Sequence, residues 1–442
     1  MKAYFYKLLY KYISLFVRPG FSLVEIAPQH GFLLTLFRDM RLAVFRPCRD
    51  AFDLPASVGR MNDIGDIAGV NPDYLLLNGN LHYDSDILLL LQQLHGVCTA
   101  TTRVIITYYS SLWRPLVRLA TKLGLRSRTP EQNWIAHEDI DNLLYLTGFE
   151  IVRRTQHVLC PVYVPYLSDF FNRYVAPLPF FRHFCMVNIL VARPLNRLRP
   201  ASAPSVSVVV AARNEAGTIE SLIQRVPRMG PDDELIFVEG NSTDATWQVI
   251  LDMSEKYSGR KNIIAAQQSG KGKGDAVRKG FDLASRDILM ILDADLSVMP
   301  EDLPKFYRAL VEDKGEFING SRLVYPMEAK AMRFWNILGN KFFAVAFSFV
   351  IGQRFKDTLC GTKVLTRENY KKIAANRAYF GDFDPFGDFD LIFGASSLGM
   401  KIVELPVHYK ERTYGTTNIA RWSHGLLLLR MLLFAARKIK FI

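Results

Sequence analysis

Cysteine is scarce and scattered in this 442-residue chain: Cys48, Cys98, Cys160, Cys185 and Cys360 are odd in number and never form a Cys-x-x-Cys pair. That distribution indicates neither a disulfide framework nor a zinc site, and it suits a reducing compartment. Long apolar runs are missing too. The longest, Phe342 to Ile351 and Met431 to Ala436, fall far short of the roughly 20 residues a bilayer span needs, so no membrane crossing is expected. The first residues, Met1 to Val17, lack both an uninterrupted apolar core and a small-residue cleavage site, because Lys2, Lys7 and Lys11 break them up; they read as retained rather than as a signal peptide. Acidic residues are in deficit, 43 against 55 Lys plus Arg, for a net charge of +12. The excess suits anionic partners such as phosphate-bearing substrates, nucleic acid or acidic lipid, without choosing among them. Repeats and low-complexity segments are also missing.

What is present is ordinary globular composition, 49% hydrophobic and 22% charged, at a length that favours two domains. The stretch Arg193 to Pro204, RPLNRLRPASAP, is rich in Pro, Arg and small residues and reads as the linker. It separates domains 1–195 and 204–442. Beyond it, strand and helix patterns alternate: VSVVVAA, a helix over 216–226, ELIFVE, a helix over 244–257, NIIAA, a helix over 275–285, ILMILD, and a helix over 301–313. This predicts a doubly wound α/β domain. In such a sheet the ligand crevice lies beyond the carboxyl ends of the strands, so the residues just after each strand matter most.

After the first of these strands come Arg213, Asn214 and Glu215; after the second come Glu239, Gly240, Asn241, Ser242 and Asp244; after the third comes the loop Gly270 to Asp275, with Lys271 and Lys273. Any one of these residues could be a plain turn or helix cap, but three strand ends converging on one crevice point to a ligand. The Gly-rich loop could cradle phosphate with its backbone N–H groups or be a flexible basic turn. It is no P-loop, because no Ser or Thr follows the lysine in frame. The fourth strand ends in Leu292-Asp293-Ala294-Asp295. Spacing of two on an extended segment points both carboxylates the same way. Paired hard oxygen ligands of that kind suit Mg²⁺ or Mn²⁺ bridging to a diphosphate. Further on, Gly381 to Asp390 concentrates four acids among aromatics. Such crowding raises the pKa of some members and suits general-base work, although the acids could instead cap the following helix.

Together these segments resemble the family-2 glycosyltransferases of the GT-A fold, particularly the branch of dolichyl-phosphate mannose synthase and the polyprenyl-phosphate sugar transferases. The likeness covers about 205 to 420 and rests on Asn214-Glu215, Ser242-Thr243-Asp244, the Gly-Lys-Gly loop, Asp293-Ala294-Asp295, Gly320-Ser321-Arg322 and Arg412-Thr413-Tyr414-Gly415. It implies that Glu215 and Asp244 hold the base and ribose of a nucleotide sugar, with Asn214, Glu239, Asn241, Ser242, Lys271, Lys273 and Asp275 around it. By the same likeness Asp293 and Asp295 hold the metal, Arg322 and Arg412 hold phosphates, and Asp388 and Asp390 stand on the acceptor side. Many members carry two aspartates where this chain has Glu239 and Gly240, which leaves UDP and GDP both open. The implied reaction is inverting sugar transfer to a membrane-bound acceptor such as polyprenyl phosphate. Rival readings are transfer to a sugar hydroxyl of a growing glycan, and a non-catalytic nucleotide-sugar-binding scaffold. Nucleic acid is not an expected partner, since only net charge speaks for it.

Two segments, Ala331 to Arg354 and Trp422 to Ile442, mix aromatic and aliphatic residues with cationic flanks and read either as interfacial helices or as core helices. An anionic membrane surface is therefore an expected partner, on the inner, cytoplasmic face. Residues 21 to 192 also alternate strand and helix signals, with FSLVEIA, DYLLLN, RVIITYY and FCMVNILVA as strands. Through Val24-Glu25-Ile26 followed by Gly31, the 73–78 strand, and Leu146 to Glu150, they resemble a class I methyltransferase, a Rossmann-like fold. S-adenosylmethionine (SAM) enzymes place several glycines after the first strand; here Ala27, Pro28, Gln29 and His30 stand there, and no ribose-binding acid follows near Val44. A degenerate domain that binds no SAM is the expectation.

Overall fold

The computed structural model describes residues 2–28, 31–47, 54, 57–124, 133–195, 202–325, 334–377, 387–411, 414 and 421–442. The chain forms two compact units, Met1–Asn196 with Arg437–Ile442, and Arg197–Ala436. Each is built on a seven-stranded sheet.

In the first unit the strands are β1 (Ser22–Ile26), β2 (Arg41–Phe45), β3 (Gly59–Met61), β4 (Tyr74–Asn78), β5 (Arg103–Tyr109), β6 (Phe149–His157) and β7 (Val187–Pro194). Their order is β3-β2-β1-β4-β5-β7-β6, and β7 alone runs against its neighbours. A strand covered on both faces needs apolar residues at every position. The run Tyr74-Leu75-Leu76-Leu77 meets that need: Leu75 and Leu77 pack into one layer, Tyr74 and Leu76 into the other. Arg193 and Pro194, expected in the linker, instead end β7. Arg193 is held there by an ion pair to Glu150 (2.9 Å). Residues 196–201 of the expected linker, with Gln29 and His30, lie outside the described residues.

The second unit contains β8 (Val206–Ala212), β9 (Glu234–Glu239), β10 (Asn262–Gln267), β11 (Ile288–Asp293), β12 (Phe317–Ser321), β13 (Lys363–Thr366) and β14 (Ile402–Pro406). The order is β10-β9-β8-β11-β13-β12-β14 with β13 antiparallel to both neighbours. The chain steps outward from β8 through β9 to β10, then returns to β11 on the other side of β8. That reversal opens a crevice at the carboxyl ends of β8 and β11. Helices follow at Ile219–Arg225, Thr246–Lys256, Lys273–Leu283 and Leu303–Val311, the first and last beginning two or three residues later than expected. The first is delayed by a turn in which the Thr218 hydroxyl donates to the Glu215 carbonyl (2.8 Å), and the last by a short 3-10 turn, Pro300–Asp302.

Helix Phe334–Ile351 buries Ala344, Phe347 and Ile351 and turns Leu338, Phe342 and Val345 outward. Phe343 is half-buried with its ring 6.2 Å from Phe347. The side chains of Phe334 and Trp335, and Arg333 altogether, lie outside the described residues. Helix Arg421–Ala435 likewise buries Leu428 and Met431 while exposing Leu426 and Leu433.

Gly280 of helix Lys273–Leu283 lies so close to β8 that a Cβ on it would stand 2.3 Å from Val209 Cγ1. Gly280→Ala gains up to about 1 kcal/mol of helix propensity but overpacks the interface by about 1–3 kcal/mol. The expected outcome is a lower unfolding temperature for the second unit by calorimetry. An unchanged or raised temperature would contradict this packing.

Candidate active site

The loops after β8 and β9 clasp each other through side chains that sequence alone would assign to capping. The Asn214 N–H donates to Ser242 Oγ (3.0 Å), and the Thr243 N–H donates back to Asn214 Oδ1 (2.8 Å). The Glu215 N–H donates to Thr246 Oγ1 (2.9 Å), and the Thr246 N–H and hydroxyl both donate to Asp244 Oδ1. Burial would push the Asp244 carboxyl up, but donors from Thr246, Ala216 and Tyr414 hold it below the usual carboxylate range. Glu239 is buried and braces this clasp from below, accepting from the Ser242 N–H and from Gln267 Nε2. Asn214 and Asn241 both adopt φ of 56°, a left-handed conformation that Asn tolerates better than most residues.

Two residues here were not singled out as ligand-binding. Tyr414 lays its ring on Gly217, where a Cβ would stand 2.6 Å from Cδ2, and its hydroxyl reaches Asp244 Oδ2 (3.4 Å). Arg213 runs its aliphatic stem across Gly240, 3.2 Å from where a Cβ would be, and is exposed at the mouth of the crevice. The lack of a side chain at Gly240 thus leaves the space that Arg213 occupies.

Beyond β10, Asp275 closes the Gly-rich loop by accepting from the Gly270 N–H (2.9 Å), and Gly272 turns at φ of +85°. Lys271 stays exposed. Lys273 instead reaches β11, where its Nζ pairs with Asp293 Oδ1 (2.6 Å). Gly361 presses against that pair: a Cβ there would lie 2.2 Å from an Asp293 oxygen and 2.5 Å from Lys273 Nζ. Burial raises the Asp293 carboxyl, but Lys273 outweighs it, with Lys363 and Arg322 adding to the downward pull. Asp295 is buried, and its Oδ1 accepts from the Ser297 N–H (2.9 Å) across Leu296, at φ of 55°. Among the described residues no three His, Cys, Asp or Glu side chains converge as a metal cage.

Residues 207–373 match the family model described as glycosyl transferase family 2. The chain carries a family-2 glycosyltransferase domain. Among similar proteins, a dolichol-phosphate mannosyltransferase of Pyrococcus furiosus is 28% identical over 48% of this chain and 59% of its own length. Glycosyltransferase AglJ of Haloferax volcanii is 30% identical over 49% of this chain and 66% of its own length. The chain therefore spans less than two thirds of either relative. The glucosyl-3-phosphoglycerate synthase of Mycobacterium tuberculosis, solved with Mn²⁺, UDP and glucosyl-3-phosphoglycerate, superposes with a TM-score of 0.38 at 18% identity, covering 53% of this chain and 80% of that one.

Within the glycosyltransferase domain, Arg322 at the end of β12 is tied to Asp357 by Nε and Nη2 (2.7 and 2.9 Å) and by its own N–H (3.0 Å). Asn340 Nδ2 donates to the same carboxylate (2.9 Å), which joins helix Phe334–Ile351 to the arginine through one buried aspartate. Past the matched segment, Asp390 is paired with Arg377 Nε (2.8 Å). Gly387 packs on the Gly-rich loop, where a Cβ would stand 2.6 Å from Gly274 Cα, so the helix that begins at Asp388 starts beside Lys273. The Asp388 side chain, residues 378–386 and Arg412 lie outside the described residues.

Burial alone would raise the Asp357 carboxyl, but Arg322 draws it down to about 2. Asp357→Ala strands a buried guanidinium, for which about 3–5 kcal/mol is the ordinary cost. Because the folded pKa is depressed, this contribution is complete above the unfolded value near 4 and is lost as pH falls toward about 2. Denaturant midpoints of parent and variant are expected to differ most at neutral pH and to converge in acid. A constant gap across that range would contradict the pairing.

Proposed function

We propose that the second unit is a GT-A glycosyltransferase that moves a sugar from a UDP- or GDP-linked donor to polyprenyl phosphate, with inversion at the anomeric carbon. The observation that carries this is the meeting of Asp293, Asp295 and Lys273 at the carboxyl end of β11, at the sheet's switch point. The dolichol-phosphate acceptor named for the Pyrococcus relative supports the lipid-phosphate class. Asp293 and Asp295 offer hard oxygens and would hold a Mg²⁺ or Mn²⁺ ion, for which that donor type is suited. Bound, such an ion neutralises charge on the departing nucleoside diphosphate. Ionised Asp244 accepts from nucleotide hydroxyls, with Glu215 beside it. Lys273 balances Asp293 before the donor arrives and can turn to the diphosphate when it binds, assisted by Lys271, Arg322 and Arg412.

A phosphate acceptor, with a second pKa near 6, arrives ionised and needs no base. The commitment of Asp390 to Arg377 supports that acceptor. Transfer to a sugar hydroxyl is the second reading; it would use Asp388, whose helix begins beside Lys273. Incubating the full chain with labelled UDP- and GDP-sugars against both acceptor classes tests the assignment. Asp295→Ala is expected to lower transfer roughly a hundredfold or more without moving the unfolding temperature, and chelator is expected to abolish turnover until Mn²⁺ or Mg²⁺ returns. Full turnover in chelator would sink the metal reading.

For the first unit we propose a methyltransferase-like domain that binds no SAM. The strand order with β7 alone reversed supports the likeness. Ala27, directly after β1, sits at φ of 43° where glycine would be unstrained, which speaks for a cofactor turn that has been lost. The protein is placed by this reading at the cytoplasmic face of the cell membrane. The outward Phe342, Val345 and Leu426 support contact with a membrane surface. No described helix is long and apolar enough to cross a membrane. Titration calorimetry with SAM is expected to show no heat of binding. Micromolar affinity would overturn the lost-cofactor reading.

A further inference from the structure

Between β6 and β7 the first unit carries an insertion, residues 158–186, that buries few of its side chains. Two of the buried ones, Ser168 and Asn172, are polar and stand beside buried Val158, Ala176 and Cys185. Asn172 Oδ1 accepts from the N–H groups of Leu159 and Cys160 (2.8 and 2.9 Å), its Nδ2 donates to the Cys160 carbonyl (2.8 Å), and Ser168 Oγ is bonded to Val164 at both N–H and carbonyl. Many of the side chains turned to solvent are large and apolar, beside the charged Asp169, Arg173 and Arg182: Tyr166 is 91% exposed, Phe180 68%, and Tyr163, Leu167, Phe170 and Phe184 about half. The segment is pinned at its base and flanks. Met186 N–H donates to the Val158 carbonyl, Trp113 Nε1 to the Phe184 carbonyl, and Tyr12 OH to the Asn172 carbonyl. At its tip Tyr166 sits at φ of 62° in a three-residue turn closed by Leu167 N–H to the Pro165 carbonyl (2.7 Å). Turns of that hand are rare and strained in L residues. An ordered segment that presents so many aromatic and aliphatic groups, with Asn172 and Ser168 bonded inside it, is suited to a medium less polar than water.

Charge narrows the choice. Arg173 and Arg182 lie on the insertion, Lys11 on the neighbouring N-terminal helix, and Arg437, Lys438 and Lys440 on the C-terminal segment that packs with this unit, where Arg173 Nε donates to the Phe441 carbonyl (3.3 Å). Lys11 lies within electrostatic range of Arg173, and Lys440 of Arg182. The insertion's own carboxylate, Asp169, accepts from Tyr4 OH (3.1 Å). A second copy would bring these cations against each other. Nucleic acid would use the aromatic faces and the charge but leave the outward Val162, Val164 and Leu167 without a partner. Aromatics at headgroup depth with flanking Arg and Lys match an anionic bilayer surface on all counts.

We propose that residues 162–184 form a membrane-docking surface of the first unit that inserts Tyr166, Phe170 and Phe180 into the headgroup region of an anionic leaflet. This surface is separate from the helices of the second unit and does not depend on the reaction proposed for it. The test is sedimentation of the full chain with phosphatidylcholine vesicles, with and without phosphatidylglycerol, at rising salt. Parent protein is expected to bind the anionic vesicles, weakening with salt but keeping a resistant fraction. The triple variant Tyr166→Ser, Phe170→Ser, Phe180→Ser is expected to lose roughly tenfold or more in apparent affinity with an unchanged unfolding temperature, since these side chains are exposed. Phe342→Ser with Val345→Ser in the second unit serves as the comparison. If only that pair weakens binding, the insertion is not the dock. If light scattering shows an oligomer that the triple variant dissolves while vesicle binding persists, the surface is a contact between copies and the proposal fails. If the triple variant instead loses RNA binding with vesicle binding intact, the proposal fails equally.

Discussion

The ion pair between Lys273 and Asp293 is the contact on which the crevice of the second unit turns. It joins the Gly-rich loop to the end of β11, and the backbone at Gly361 closes on it with no room for a side chain. An unbalanced carboxylate in that place would carry a heavy desolvation cost, and an unbalanced lysine likewise. Around the pair, Lys363 and Arg322 add positive field, and Arg213 and Lys271 extend it to the exposed rim. The crevice therefore sets its acids beside cations close enough to pair with them.

Rigidity at the strand ends is obtained by mutual bracing. Asn214, Asn241 and Leu296, each just beyond one of the parallel strands β8, β9 and β11, take left-handed backbone conformations. At Leu296 the turn is spanned by the Ser297 N–H donating to Asp295 Oδ1, which fixes the aim of Asp295. The clasp of Asn214, Ser242, Thr243, Asp244 and Thr246 does the same for the first two loops.

The legibility of the sequence followed the range of the interaction. β8, β9 and β11 could be read directly because a parallel strand buried on both faces is an uninterrupted apolar word, and the residues following β8 and β9 do bond to one another. β13 could not, since Lys363 is buried in it with its ammonium on the Cys360 carbonyl (2.5 Å), a pairing that reads locally as a surface lysine. The individual duties of the candidate residues were hidden for the same reason. Glu239 looks like a ligand for a nucleotide but braces a turn, Asp275 closes its own loop, and Arg322 is held by Asp357, 35 positions away. Each partner is set by tertiary approach, on which no local pattern reports. The linker erred by two residues because Glu150 reaches across the sheet for Arg193.

The proton inventory gives the acceptor its physical logic. A hydroxyl acceptor must surrender a proton as it attacks, and the receiving carboxylate must be free to take it. Asp390 is spoken for by Arg377, Asp293 by Lys273, Asp357 by Arg322 and Asp244 by the donors around it; for Asp293, Asp357 and Asp244 these partners favour the ionised form and resist protonation. Carboxylates so committed are good electrostatic scaffolding and poor bases. A phosphate monoester brings its own negative oxygen to the anomeric carbon and asks only for cations to steer it, and Arg213 and Lys271 stand exposed at the rim. On that ground the charge arrangement of the second unit is better matched to a lipid phosphate than to a sugar hydroxyl, and Asp388, starting its helix against the Gly-rich loop, is the one candidate whose protonation during turnover would reverse the preference.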